Sequence, residues 1–386
     1  MVAGENNRQG RYLTGVHFML GNYATAEGAV AAGCDFFAGY PITPANEISE
    51  RMSQRLPEVG GVFVQGEDEL FSIYAVTSAA LNGAKAMTAT ASAGFNHFQE
   101  GIGYAVAVEA PCVIVDVQRC RGENFATQAD VMQMRYGTDG DYEIIVLAPS
   151  SIQELFDYTV RAFNLAEEYR TPVIVMSETT IALMRERLEI PTPEQVEIVN
   201  RKYTNLPPGE YMPFKPASEY GVPDFAPLGE RYAGLYSINP HDERGGIDWD
   251  PDVYERMYDR LTKKIRNNRD VICQPESFYV EDADVVLIAY GSEVRPALDA
   301  VEMARANNMS VGLLKLDVVW PVPEEQIIAA TKNAKKVIAV EMNIGKYATE
   351  IERLCCNHAE VIRCTKNRGL VHSPEEIYQV IEEVWQ

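Results

Sequence analysis

The sequence has no apolar run close to the ~20 residues that a bilayer-spanning helix requires. Its longest, such as VEAPCVIVDV from Val108 to Val117, read instead as buried strands. The opening residues, MVAGENNRQGRYLTG, carry no apolar h-region, so no secretion signal is expected and the protein should remain in the cytoplasm. Basic runs are missing as well. Lys plus Arg number 34 against 56 for Asp plus Glu, a net charge of −22, which favours solubility and makes nucleic acid and anionic membrane unexpected partners. None of the seven cysteines (Cys34, Cys112, Cys120, Cys273, Cys355, Cys356, Cys364) belongs to a C-x-x-C pair. An odd number fits reduced thiols, and the spacing argues against an iron–sulfur cluster or zinc site carried by this chain alone. Cys355, Cys356 and Cys364 read as small hydrophobes in and around a helix.

The 386 residues suffice for two or three domains with cores of their own. From about Asn22 to Met176 the sequence alternates short apolar runs with helical patterns, the signature of a parallel sheet covered by helices. The expected strands are CDFFAGY (34–40), GVFVQ (61–65), KAMTAT (85–90), PCVIVDV (111–117), YEIIVLA (142–148) and TPVIVMS (171–177). Ser151 and Glu154 form a capping-box pattern ahead of a helix with Leu155, Tyr158, Phe163 and Ala166 on one side. Residues 191–280 hold 11 of the 21 prolines and read as a long connector that carries function or wraps a neighbour, returning to helical period in DPDVYERMYDRLTKKIRNN. A second α/β unit spans 281–386. ADVVLIAYGS is its first strand, with Ser292 as N-cap of a helix showing Val294, Leu298 and Val301 on one face. MSVGLLKLD and KKVIAVEMN supply further strands around the helix PVPEEQIIAATKN.

Several motifs admit two readings. CDFFAGY runs into P-I-T-P, placing Thr43 at the carboxyl end of a strand, where open α/β sheets bind ligands; Thr43 could equally cap the helix beginning near Ala45. V-Q-G-E-D-E puts Glu67, Asp68 and Glu69 at a helix start, where the dipole alone would favour them. His97 in ASAGFNHFQE reads more readily as a satisfied histidine than as a catalyst. GIG (101–103) and NIGK (343–346) complete neither a Walker nor a dinucleotide fingerprint and read as packing and turn glycines.

Taken in order, GNYATAEGAVAAGCDFFAGYPITPANEISERM, VQGEDELFS, EGIGYAVAVEAPCVIVDVQR and the late HDERGG resemble the alpha subunit of 2-oxoacid:ferredoxin oxidoreductases, especially the 2-oxoglutarate branch. ADVVLIAYGSEV, LKLDVVWPVPEEQI and KKVIAVEMNIGK resemble the transketolase C-terminal-type domain that follows in this family. The likeness covers almost the whole chain. It implies an α/β protein with a pyrimidine-binding thiamine diphosphate domain over 15–190, a Pro-rich connector over 191–280 and a transketolase C-terminal-like domain over 281–386. The implied enzyme, typical of anaerobic metabolism, decarboxylates a 2-oxoacid oxidatively to an acyl-CoA, with CoA as co-substrate and an iron–sulfur protein such as ferredoxin as acceptor. A beta-type subunit would supply the diphosphate site with Mg2+ and a [4Fe-4S] cluster, and gamma and ferredoxin-like delta subunits could join it; no metal is expected in this chain. Glu67 matches the family glutamate that contacts N1′ of the aminopyrimidine, and Thr43 matches the YPITP threonine near the reacting 2-oxoacid. Tyr40, Pro41 and Ile42 would line the cofactor. A carboxylate that exchanges a proton with the ring is expected to be buried and to have a raised pKa.

Two segments depart from the family pattern. The usual S-G-P-G reads A-S-A-G over Ala91–Gly94, and the usual R-G-G-P-S-T-G reads R-C-R-G-E-N-F over Arg119–Phe125. Both should lie beside the substrate. Arg121 could pair a substrate carboxylate, or Glu123, or a partner subunit; Phe125 and His97 would allow a bulkier acid. The order of expectation is 2-oxoglutarate, then an aromatic (phenylglyoxylate-type) or branched-chain 2-oxoacid. Two rivals are a non-redox thiamine enzyme and a non-catalytic assembly subunit. The first would bring a G-D-G…N motif, and T-D-G-D-Y (138–142) lacks the Asn and reads as a turn.

Overall fold

The structure, a computed structural model, describes residues 12–121, 125–229, 231–367 and 369–385. Its first half runs β1 (Gly15–Leu20), α1 (Gly21–Ala31), β2 (Phe36–Gly39), α2 (Asn46–Val59), β3 (Val62–Gln65), α3 (Glu69–Leu81), β4 (Ala86–Ala91), α4 (Ser92–Ala107), β5 (Cys112–Gln118), α5 (Val131–Tyr136), β6 (Ile145–Leu147), α6 (Ile152–Tyr169), β7 (Val173–Glu178), α7 (Thr179–Leu183) and β8 (Arg185–Ile190). The second half contains α8 (Pro251–Arg266), α9 (Arg269–Ile272), β9 (Glu276–Phe278), β10 (Val285–Tyr290), α10 (Val294–Ala306), β11 (Val311–Leu316), β12 (Val318–Trp320), α11 (Glu324–Thr331), β13 (Lys336–Glu341), α12 (Ala348–Cys355), β14 (Glu360–Thr365) and α13 (Pro374–Trp385).

A seven-stranded sheet has the order β12-β6-β7-β5-β4-β2-β3, and a five-stranded sheet has the order β14-β13-β10-β11-β9. Pairing within the first sheet is parallel except for β12, which adds to β6 antiparallel. The second half therefore donates an edge strand to the first sheet. The strands β4, β5 and β7 are buried along their whole length, as their mostly apolar sequences require of a sheet covered on both faces. Each of the six expected strands is present. The antiparallel ribbon of β1 and β8, which pairs Gly15 with Ile190 through Leu20 with Arg185, was not expected. Its signal is only the period-2 alternation in RERLEI, which buries Leu188 and Ile190 and exposes Arg185, Arg187 and Glu189.

Small residues let α1 sink into the first core. A Cβ on Gly21 would lie 2.0 Å from the Ile181 carbonyl oxygen, and one on Gly28 would lie 2.6 Å from that of Phe156, so α1 packs against α6 and α7 with nearly every residue buried. A second core is shared between the two sheets. Ile73, Phe95, Phe98 and Met176 meet Ile288, Leu316, Trp320 and Tyr347 in it.

Two caps differ from expectation. Ser151 does cap α6, accepting from the Glu154 amide at 3.1 Å, but Glu154 turns away to accept from Ser150 and Lys315, so the reciprocal half of the box is absent. Ser292 is not the cap of α10. That position is Glu293, and the Ser292 hydroxyl donates to the buried carboxylate of Glu178 across the junction between the sheets. No disulfide joins any of the seven cysteines. Cys355 lies buried in α12 and Cys356 is exposed at its end, whereas Cys364 belongs to β14.

Between Ile190 and Pro251 the described chain forms no helix longer than the three-residue turn Pro193–Gln195. It is fixed by polar anchors. Arg201 pairs with Glu167, Nε donating at 2.8 Å, and Arg170 donates to the carbonyls of Pro213, Pro223 and Asp224. The turn glycine Gly140 (φ +93°) fits the turn reading of T-D-G-D-Y. Gly101 is a packing glycine, since a Cβ there would stand 2.4 Å from Ile73, and Gly345 (φ +82°) is a turn glycine. Among the described residues no helix is long and apolar enough to cross a membrane.

Candidate active site

The strands β2 and β3 are parallel neighbours with Gly39 opposite Gln65. The Gly66 amide donates to the Gly39 carbonyl at 2.9 Å. The two loops that leave these strands therefore start side by side, ~5 Å apart, at one carboxyl edge. The first carries Tyr40, Pro41, Ile42 and Thr43; the second carries Glu67. On the other side β4 pairs with β2 and β5 with β4, Ala91 standing opposite Val117, so Ser92 to His97 and Arg119 to Phe125 leave the same edge. Every residue singled out from the sequence lies on these four segments.

Thr43 is not the helix cap. The capping position of α2 is Ala45, with no side-chain hydrogen bond, and the Thr43 hydroxyl accepts from Asn46 Nδ2 at 3.2 Å. The Thr43–Pro44 peptide is cis. Asn22, buried on α1, donates to the Pro44 carbonyl at 2.7 Å and to Glu47 at 2.8 Å, which pins the loop from beneath. The Oδ1 atoms of both Asn22 and Asn46 are buried and have no partner among the described residues.

The acidic triplet divides its work. Asp68 caps α3, its carboxylate accepting from the Phe71 amide at 2.7 Å. Glu69 turns inward, is 7% exposed, and meets His97 Nδ1 at 3.1 Å. Glu67 is left exposed, with Tyr40 (38% exposed), Leu70 and Phe71 (41% each) as exposed apolar neighbours in sequence on this edge. The burial expected of Glu67 is thus not present in the chain by itself. A carboxylate acceptor among apolar side chains, open on one side, fits one edge of an aminopyrimidine ring and leaves the other face to be covered.

His97 has a side chain 64% exposed. Arg121 is exposed and has no ion pair among the described residues; its possible partner Glu123 lies outside them. Phe125 is 50% exposed and lies against Gly369, where a Cβ would come within 2.3 Å of the Phe125 Cβ. A loop of the second half thus packs against the tip of the segment expected beside the substrate. Among the described residues no three His, Cys, Asp or Glu side chains are grouped so as to hold a metal ion.

Sequence reasoning missed the supports of this edge: Asn22, Asn46, Glu69, Ser92, Asp116, Asp130 and Gln128. Asp116 did leave a signal, as the one acid inside the apolar run PCVIVDV. A cavity of about 600 Å³ between the connector and α8, lined by Phe214, His241 and Arg256 among others, includes no candidate residue.

Two α/β units, with the candidate loops gathered on one carboxyl edge of a parallel sheet, define a chain of the thiamine-enzyme architecture. Residues 27–259 match the family described as pyruvate flavodoxin/ferredoxin oxidoreductase, thiamine diphosphate-binding, and residues 283–377 match pyruvate:ferredoxin oxidoreductase core domain II. The chain belongs to the 2-oxoacid:ferredoxin oxidoreductase family. It is 46% identical to the 2-oxoglutarate synthase subunit KorA of Methanothermobacter marburgensis over 96% of this chain and 99% of that one. It is 34% identical to the ketoisovalerate oxidoreductase subunit VorB of Methanothermobacter thermautotrophicus over 94% and 96%. Among solved structures it resembles the 2-oxoglutarate:ferredoxin oxidoreductase of Magnetococcus marinus with 2-oxoglutarate, coenzyme A and succinyl-CoA bound. The TM-score is 0.90 at 31% identity, covering 97% of this chain and 66% of that longer one. A split-gene transketolase shares the fold at 11% identity, with a TM-score of 0.56.

Proposed function

We propose that this chain is the alpha-type subunit of a 2-oxoglutarate:ferredoxin oxidoreductase, which converts the 2-oxoacid and CoA to an acyl-CoA with release of CO₂. The observation that carries the reading is the meeting of the Thr43 and Glu67 loops at adjacent strand ends, in a chain that matches a 2-oxoglutarate synthase subunit end to end. The margin between 46% and 34% identity favours 2-oxoglutarate over a branched-chain acid.

Residues 15–190 would hold the pyrimidine half of thiamine diphosphate, 191–280 would serve as the connector, and 281–386 would close the site. Bound thiamine diphosphate supplies the electron sink for decarboxylation. Glu67 would hold and return a proton at N1′ of the aminopyrimidine, and docking of a beta-type subunit over the exposed edge would bury it. Tyr40, Pro41 and Ile42 would line the ring, and Thr43 would face the reacting 2-oxoacid. Arg121 would receive the distal carboxylate of 2-oxoglutarate in a two-pronged contact, with His97 and Phe125 bounding the space around it.

Mg2+ and a [4Fe-4S] cluster would sit on partner subunits, a beta-type chain with gamma and delta chains beside it, in keeping with a sequence whose cysteines include no C-x-x-C pair. Seven cysteines with no disulfide among them fit a reducing cytoplasm. The test is an assay of the complex, purified with everything that stays bound, for CoA-dependent reduction of a low-potential dye across a panel of 2-oxoacids. Activity highest with 2-oxoglutarate is expected. Preference for an aromatic or branched acid would reassign the substrate, and a complex with no thiamine diphosphate and no activity would reduce the chain to an assembly subunit.

A further inference from the structure

The two segments that depart from the family pattern touch each other through one hydroxyl. Ser92, in A-S-A-G, accepts the backbone N–H of Arg119, in R-C-R-G-E-N-F, at 3.0 Å, and donates its own proton to Asp130 Oδ2. The Asp130 amide in turn donates to Gln118 Oε1 at 2.9 Å. The ends of β4 and β5 and the start of α5 are thereby joined at the base of the Arg119–Phe125 loop. Beyond this point the Cys120 amide donates to the Phe125 carbonyl at 2.7 Å, and Arg119 bridges Ala126.

Behind Asp130 lies Asp116, fully buried, with both carboxyl oxygens out of reach of any N–H or hydroxyl donor among the described residues. Burial and the charge of Asp130 both disfavour its ionisation. Two buried acids that repel each other ionise together only at high cost, so the neutral form of Asp116 is favoured. Burial raises the pKa of both acids, Asp130 adding to the effect on Asp116, while Ser92 and Lys346 moderate it at Asp130. The groups that face the pair are Ser92 from α4, Gln118 from β5, Cys120 from the loop and Lys346 from the second half, whose Nζ donates to the Ala129 carbonyl at 2.6 Å.

We infer that Ser92, anchored to Asp130, is a positioning residue that fixes the chain at Arg119 as it leaves β5 and so aims Arg121 at the distal carboxylate of a dicarboxylic 2-oxoacid. The claim deepens the proposed function and rests on it for the identity of the substrate. Losing the Asp116 proton would place two negative charges in a buried space and loosen the base of the loop, so KM for 2-oxoglutarate should rise at alkaline pH.

The test uses the intact complex with Ser92→Ala, Ser92→Thr and Asp116→Asn. Loss of one hydrogen bond at the loop base should raise KM for 2-oxoglutarate about tenfold in Ser92→Ala, leave kcat within about twofold, and leave KM for the monocarboxylic 2-oxobutyrate unchanged. Ser92→Thr, which keeps the hydroxyl, should restore the wild-type KM. Asp116→Asn, whose amide donates at every pH, should flatten the alkaline rise. Hydrogen exchange at the Arg119 amide, which needs no substrate, should quicken about tenfold in Ser92→Ala. Equal KM changes for both acids, an effect confined to kcat, or an unchanged alkaline rise in Asp116→Asn would overturn the inference. If the wild-type complex turns over no 2-oxoacid, the functional reading fails by itself, and unaltered exchange at Arg119 would still refute the positioning role.

Discussion

Replacing Glu109 with Gln should detach α8 from the first sheet. Glu109 follows α4 in the left-handed region (φ +52°), a conformation that costs a non-glycine residue on the order of 1 kcal/mol or more. What holds it there is charge. Arg260 donates through Nη2 at 2.6 Å and Nη1 at 2.9 Å, and Lys264 Nζ donates at 2.8 Å while also reaching the Arg170 carbonyl at 3.0 Å. Burial alone would raise the Glu109 pKa, but Arg260 and Lys264 prevail and hold the carboxyl well below the usual range. Apolar packing under this helix is a cluster of Ala107, Met257 and Leu261, with Ile265 at its end joining the first core, so the ion network holds the middle of the helix. Glu109→Gln leaves two buried cations without their counter-charge, a loss of ~3–5 kcal/mol. With an unfolding entropy of ~2.1 cal/mol/K per residue over the 386 residues, that is a fall in Tm of ~4–6 °C. Differential scanning calorimetry measures it, and limited proteolysis should show cleavage in 251–266 that the parent resists. Replacing Glu109, Arg260 and Lys264 together by apolar residues of similar size should recover most of the loss. An unchanged Tm with unchanged proteolysis in Glu109→Gln would refute the reasoning.

Stability should fall as pH rises from 5 to 9, for two reasons at the junction of the sheets. Burial pushes Glu178 up to about 7 despite Ser292 and Gln128, so its contribution is present below its unfolded value and lost as pH rises through 7. His372, which burial alone would lower, is raised to about 9 by Cys364 and Glu293; its contribution is complete below its unfolded value and lost as pH climbs through 9. Denaturant midpoints across this range should show both declines, and His372→Gln should remove only the upper one. Gly94→Ala would place a Cβ 2.1 Å from Thr90 Oγ1 and 2.6 Å from Glu69 Oε1. It should destabilise by ~1–3 kcal/mol in urea unfolding and break the contact between Glu69 and His97; an unaltered midpoint would show that the site has slack.

The main sheet was legible in the sequence because buried parallel strands announce themselves as short, mostly apolar runs. The ends of the chain's elements were less so. Ser292 looks like a cap from spacing alone, but its hydroxyl serves Glu178 more than 110 positions away, and no local pattern encodes that contact. Strand β12 is only three residues long and joins a sheet formed by the other half of the chain. At the candidate site, Thr43 and Glu67 could be named because they lie in recognisable motifs. Glu69 was hidden by its acidic neighbours, since only the turn of α3 decides which of three carboxylates caps the helix, which faces out and which is buried beneath Gly94. Asn22 and Ser92 were hidden for a similar reason: each matters through a partner brought to it by the sheet.

The most direct test of the proposed role of Glu67 is turnover by the assembled complex carrying Glu67→Gln. The change removes the exchangeable proton and keeps the size of the side chain. CoA- and 2-oxoglutarate-dependent dye reduction should fall by at least ~100-fold, the scale of a lost proton-transfer group, with the subunits still co-purifying. Undiminished turnover in an intact complex would contradict the assignment of the chemistry to this edge of the sheet.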